Sequence, residues 1–355
     1  MARATGRAPY GPALRELTLA RMREFLREPE AVFWVFAFPV IMTCALGIAF
    51  RTRVDEPVLV GIERAGAAPS AVASAEQALR AAGGFEVQAV DAAGVERALR
   101  DGTVQVVVQP GEVPTYRFDP ARAESRLARL AVDGALQRAA GRADRFQARQ
   151  DAVRAVGSRY IDWLVPGLLG MNIMGTGMWS TSFAIVTART RKLLKRLVAT
   201  PMPRSAYLLS FVGSRLMFLA AEAIVLVGFG WLAFGVAVHG SLVALAVVSV
   251  LGALTFGGLA LLVASRAQTV EGVSGLLNLV MLPMWVFSGV FFASSNFPAT
   301  LQPFVQALPL TALNDALRAV MNDGETLAAI WRELAIMSAW GGLSFALSLK
   351  LFRWS

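Results

Sequence analysis

Residues 187–205 read TARTRKLLKRLVATPMPRS, a stretch with six basic side chains (Arg189, Arg191, Lys192, Lys195, Arg196 and Arg204) and no carboxylate. Apolar runs at 163–186 and 207–234 flank it. Each run exceeds the ~20 residues a helix needs to cross the ~30 Å hydrocarbon core, so the stretch is a short loop between two membrane helices. Lys and Arg at span ends bias a loop to the cytoplasmic side, which fixes the expected topology. Within the loop, Leu193, Leu194, Leu197 and Val198 fall on one helical stripe. Pro201 and Pro203 then stop the helix, because proline lacks the amide donor and clashes with the preceding turn. The expected product is a short amphipathic helix on the cytoplasmic face. It either rests on lipid headgroups or docks a cytoplasmic partner.

Composition agrees with a membrane protein. Of the 355 residues 55% are hydrophobic, and the mean hydropathy is +0.53. The formal net charge of +9 does not point to nucleic acid, since the uncompensated basic residues gather at helix ends, where they set topology and meet lipid headgroups. The single cysteine, Cys44, sits in the first apolar run, so no disulfide can form within the chain. The charged, proline-containing start does not read as a cleavable signal peptide.

Taken in order, residues 1–30 are expected to form a cytoplasmic tail and an interfacial helix, with Leu14, Leu17, Met22 and Phe25 on its apolar arc and Glu16, Arg23 and Arg27 opposite. Arg21 interrupts the arc. The first transmembrane helix occupies 31–53 and contains Pro39. Residues 54–158 change pattern: strands are expected at 58–62, 85–90, 104–108 and 115–118, and helices at 70–82 and 95–100. That is a small α/β domain. A charged stretch at 121–156 follows, with Leu127, Leu130 and Leu136 expected on the buried side of one long or broken helix that leads back as a stalk. The cytoplasmic tail and the basic loop are two spans apart and this domain lies between those spans, so it is expected outside the cytoplasm. Residues 159–355 hold five more spans, with the loop at 187–206 and an outer segment at 294–329 too proline-broken for a clean span, suited to interfacial helices or a re-entrant pair. The expected fold class is a polytopic α-helical membrane protein with six transmembrane helices, both termini cytoplasmic, and an inserted extracytoplasmic α/β domain.

No phosphate loop, zinc motif or serine-nucleophile motif is present, so the chain has no ATPase motif of its own and no catalytic or metal site is expected. Polar residues inside spans are costly and therefore informative. Asn172, Thr176, Trp179 and Phe183 share one face of the second span. Ser274, Asn278, Met281, Trp285, Ser288 and Phe292 form a similar stripe on the fifth. These stripes either line a path for an amphiphile or join helices through hydrogen bonds. Glu222 in the third span has Arg215 seven residues earlier as its expected partner, and that pair reads as structural. His239 reads as a solvated turn residue.

Three segments, LLKRLVATPMPRSAYLL at 193–209, LPMWVFSGVFF at 282–292 and LPLTALNDALRAVMNDG at 308–324, resemble the membrane subunit of ABC-2 type exporters, in an order and placement that agree over 13–353. The resemblance is to the subclass with a large extracytoplasmic domain between the first two spans. It departs at Thr190–Leu193, where the family's acidic EKGT-like sequence is absent. The resemblance implies a permease whose separate ATPase subunits bind ATP and magnesium, docked through Arg191, Leu193, Leu194, Arg196 and Leu197 of the loop and Leu17 and Phe25 of the first helix. It implies a homodimer, or a pair with a homologous permease, in a bacterial cytoplasmic (inner) membrane. The second and fifth spans would enclose the path, with an outer gate near Phe292, Pro309, Leu310, Asn314 and Arg318. Substrates of such a path would be drugs, lipids or glycolipids, and a periplasmic accessory protein could join. An alternative class is a membrane receptor whose α/β domain senses a ligand.

Overall fold

The computed structural model describes residues 15–50 except 17, 20, 21 and 24, then 57–143, 146, 149, 151, 157–190 and 204–351, the side chains of 204–212 excepted. The expected docking residues Leu17, Arg191, Leu193, Leu194, Arg196 and Leu197 lie outside the described residues, as do 144, 145, 147, 148, 150 and 152–156 of the expected stalk. The chain divides into two compact units, Met1–Thr52 with Arg154–Ser355, and Arg53–Val153.

Helix α1, Pro29–Ala49, opens the first unit. It contains a π-helical segment at Phe33–Ala37 just before Pro39.

The second unit runs β1 (Val58–Glu63), α2 (Pro69–Ala82), β2 (Phe85–Val90), α3 (Val95–Arg100), β3 (Val106–Gln109), β4 (Thr115–Phe118) and α4 (Ala123–Ala139). The sheet order is β2-β1-β3-β4, parallel except for β4. Alternation divides the strands between two faces: Val60, Ile62, Val106 and Val108 pack under α2 and α4, while Val107 packs with Val95 of α3. Leu127 and Leu130 were expected to be buried and are instead exposed. The buried stripe of α4 is Ser125, Ala128, Val132 and Ala135, because small side chains let the helix approach the layer beneath it. The helix passes Gly134 unbroken and ends at Ala139. Tyr116 donates its hydroxyl to Asp133 Oδ1 at 3.0 Å; burial, then that bond, push its phenol up to about 12.

The first unit continues with α5 (Tyr160–Thr190), α6 (Arg204–Phe234), α7 (Leu242–Arg266), α8 (Val270–Phe287), α9 (Gln302–Ala307), α10 (Pro309–Met321) and α11 (Trp331–Leu351). Among the described residues five helical stretches are long and apolar enough to cross a membrane: α1, Gly213–Phe234 of α6, α7, α8 and α11. The chain is thus a polytopic helical membrane protein. The second expected span, now α5, has 31 residues, ample for a crossing. It is not among the five because Asn172, Thr176, Ser180, Thr181, Ser182 and its glycines dilute its hydropathy. It is also among the most buried helices, with Leu164, Leu168, Leu169, Ile173, Met174 and Met178 fully enclosed.

Helices α7 and α11 touch backbone to backbone: a Cβ on Gly258 would stand 2.9 Å from the Gly341 carbonyl oxygen, and Thr255 Oγ1 donates to Met337 O at 3.0 Å. Small residues permit this approach, which substitutes packing for the hydrophobic drive that lipid removes. Within the expected outer segment, α10 is buried along nearly its whole length and packs against α5, α7 and α11. Helix α8 stops at Phe287, short of the expected 293, and Gly289 turns the chain with φ +69°.

Candidate functional site

Asn172 of the α5 stripe is buried and donates to the carbonyl of Val35 on α1 at 3.0 Å. Pro39, four residues beyond Val35, has no N–H to offer that carbonyl, so the amide of one helix serves a group that the sequence of another leaves open. Thr176, one turn on, donates to Glu222 Oε2 at 3.2 Å. Glu222 is 1% exposed and pairs with Arg215 on the same helix at 3.2 Å. Arg215 also donates to the carbonyl of Ile173 at 3.0 Å. Two ionised groups among apolar helices are tolerable only when paired and further hydrogen-bonded, and here three helices, α1, α5 and α6, are tied by the result. The upper half of the stripe thus joins helices. Trp179 and Phe183 continue it as a stacked pair with centroids 5.1 Å apart, half-exposed.

The α8 stripe lies along the border between a buried and an exposed face. Val273, Leu277, Met281 and Met284 point into the core, whereas Leu276, Leu279, Leu282 and Val286 face outward. Ser274 donates to the Val270 carbonyl, Asn278 is exposed, and Trp285 is half-buried. The stripe ends there, since Ser288 and Phe292 follow the helix: Ser288 is enclosed, and Phe292 is 64% exposed.

The expected gate residues converge where α5, the turn after α8, and α10 meet. Pro309 and Leu310 are buried. Asn314, 0% exposed, donates to the Ser288 carbonyl at 2.8 Å. Its Oδ1 lies so close to α5 that a Cβ on Gly170 would stand 2.0 Å from it. The Arg318 guanidinium lies 3.4 Å from the Trp163 ring centroid, donates to the carbonyls of Trp163 and Gly289, and sits 3.5 Å from Asp315. A cation over an indole in a desolvated setting contributes ~2 kcal/mol or more. Trp163 Nε1, Trp285 Nε1, Ser288 Oγ and Thr311 Oγ1 are buried and have no hydrogen-bond partner among the described residues. Polar atoms left open at one junction are unusual in a well-packed core.

Phe25, expected at a docking surface, packs its ring on Phe218 of α6 at 4.4 Å and on Phe36 of α1 at 6.3 Å. His239 is exposed, as expected, and its backbone N–H donates to Met321 O at the end of α10. Among the described residues no group of His, Cys, Asp and Glu could hold a metal ion. Sequence reading missed Trp163, Gly170 and the Ser288 carbonyl. A Gly167–Gly170 pair three residues apart was the one available signal for close approach, and nothing linked Trp163 to an arginine 155 positions away.

With this helical core in view, residues 131–322 match the family described as ABC-2 type transporter, more than half of the chain. The chain belongs to the ABC-2 type transporter family. It is also 28% identical over 204 residues to Nodulation protein J of Bradyrhizobium diazoefficiens, an alignment spanning 56% of this chain and 76% of that relative. The matched region of this ABC-2 chain takes in α5 to α10, and so every residue of the junction just described. As an ABC-2 membrane component it is a transport component and not itself catalytic.

Proposed function

We propose that the chain is the permease subunit of an ATP-driven exporter of amphiphiles (drugs, lipids or glycolipids) in a bacterial cytoplasmic membrane. Two copies, or one with a homologous permease, enclose the path, and separate ATPase subunits bind ATP and magnesium. Both termini and the loop at 187–206 face the cytoplasm, α5 is the second span and brings the total to six, and the unit Arg53–Val153 lies outside, where an accessory protein could meet it.

The observation that carries this reading is the course of α5. One buried helix runs from the junction with Trp163, Gly170 and Arg318, through Thr176 and Glu222, to the border of the basic loop. Motion of Leu193, Leu194 and Leu197 under a motor would therefore reach Asn314 and Arg318 along one rigid element. Phe25, held on α1 and α6, couples the N-terminal helix to the same body. The path-lining role falls to side chains not spent on interhelical bonds: Trp179, Phe183, Asn278 and Trp285. Replacing Asn278 and Trp285 with Ala should lower ATP-dependent export from reconstituted vesicles without loss of assembly. Unchanged export by the double variant would refute the assignment of that stripe to the path.

A further inference from the structure

The inserted unit carries a cleft of its own. Strand β1 leads through α2 on one face of the sheet to β2, and β2 leads through α3 on the other face to β3. The neighbours β1 and β3 therefore mark the place where the chain changes face, and open parallel sheets hold ligands near the carboxyl ends of strands at such a switch point. Two further observations fall on the α3 side. Helix α3 has only six residues and covers part of that face, leaving a cleft of about 680 Å³ lined by Ala92, Val95, Glu96, Leu99 and Arg117. Behind Arg117, at the last position of β1, is Glu63, whose residue is 2% exposed.

Glu63 is unusual for a buried carboxylate. Its Oε2 accepts no hydrogen bond among the described residues. Its partner is the Arg117 guanidinium at 3.5 Å, on a side chain 44% exposed. Burying a charge is tolerable when hydrogen bonds and a close partner satisfy it, and a carboxylate has about four acceptor positions to fill. Among the described residues its ion-pair partner is Arg117, half-exposed and itself lining the cleft.

We propose that this cleft binds a small zwitterion carrying a primary ammonium, with the ammonium on Glu63, reached past the lining residue Arg117, an apolar portion against Val95 and Leu99, and the anionic end on Arg117. The ligand's cation replaces the guanidinium at Glu63 and frees Arg117 for the ligand's anion, so both protein charges gain a partner in the complex.

The test uses the purified full chain in detergent and the dipeptide glycyl-leucine, which has an ammonium, an isobutyl group and a carboxylate. Isothermal titration should give saturable binding that weakens about tenfold or more for N-acetyl-glycyl-leucine, the loss expected when a charge-assisted hydrogen bond is removed. Glu63→Gln should abolish the preference for the free amine, and Arg117→Gln should weaken the dipeptide but retain that preference. No saturable binding to the unaltered chain, or equal affinity for the acetylated dipeptide, overturns the proposal. The acetylation comparison is made on the unaltered chain, so it decides even if Glu63→Gln fails to fold.

Discussion

Gly170→Ala is the sharpest perturbation of the α5–α10 junction. The added methyl would stand 2.0 Å from Asn314 Oδ1, about 1 Å inside the closest approach real Cβ atoms show. Asn314 has nowhere to retreat: it is 0% exposed, flanked by Leu310, Leu313 and Leu317 at 0%, and anchored to the Ser288 carbonyl at 2.8 Å. Overpacking a filled core costs ~1–3 kcal/mol, and breaking the hydrogen bond from the Asn314 side chain leaves the buried Ser288 carbonyl open for a further ~1–3 kcal/mol. The expected destabilisation is about 2–6 kcal/mol, read as a lowered thermal transition in detergent. Asn314→Ala removes the obstructing oxygen, so adding Gly170→Ala to it should cost little, a coupling of ~1–3 kcal/mol in the double-mutant cycle. Gly275→Ala on α8, where a Cβ meets nothing within 4 Å, serves as the control and should be neutral or slightly stabilising through helix propensity. Strictly additive effects of Gly170→Ala and Asn314→Ala would refute the contact.

Two further outcomes follow from the polar network and the inserted unit. Glu222→Leu leaves Arg215 charged and unpaired among helices and should destabilise by ~3–5 kcal/mol, whereas Glu222→Leu with Arg215→Leu should recover most of that loss; a single variant as stable as the parent protein would contradict the pairing. The Tyr116 phenol is raised to about 12 by burial and its bond to Asp133, so its contribution to stability is present below the unfolded value of ~10 and is lost as pH rises toward 12. In a phenolate-absorbance titration Tyr116→Phe should remove a component ionising near 12, and it should flatten the alkaline loss of stability; an unchanged curve would contradict it.

Much of the architecture was legible because it rests on local periodicity. Strands β2 and β4 and helix α3 stand where alternation and spacing put them, since each is short, bounded by turn residues and patterned for one buried face. The long helices were legible from apolar length, α5 included through the run at 163–186, although its polar side chains serve bonds to Val35 and Glu222 that its hydropathy does not register. What pattern could not give was which of two faces a neighbour would cover. On α4 the large leucines looked buried, yet Ser125, Ala128, Val132 and Ala135 won because close approach favours small groups. On α8 the stripe from Ser274 to Phe292 obeyed helical spacing only to Trp285, as the helix ends before Gly289. The Arg318–Trp163 contact depends on pairing of segments far apart in sequence, which no local signal carries.

Under the proposed function, the basic loop between α5 and α6 is held by a separate ATPase. The direct measurement is co-purification of the permease with its ATPase subunits, comparing the unaltered chain with Leu194→Asp and Leu197→Asp at equal expression. The account predicts that the ATPase accompanies the unaltered chain and is lost from both variants; an ATPase retained by both would contradict it.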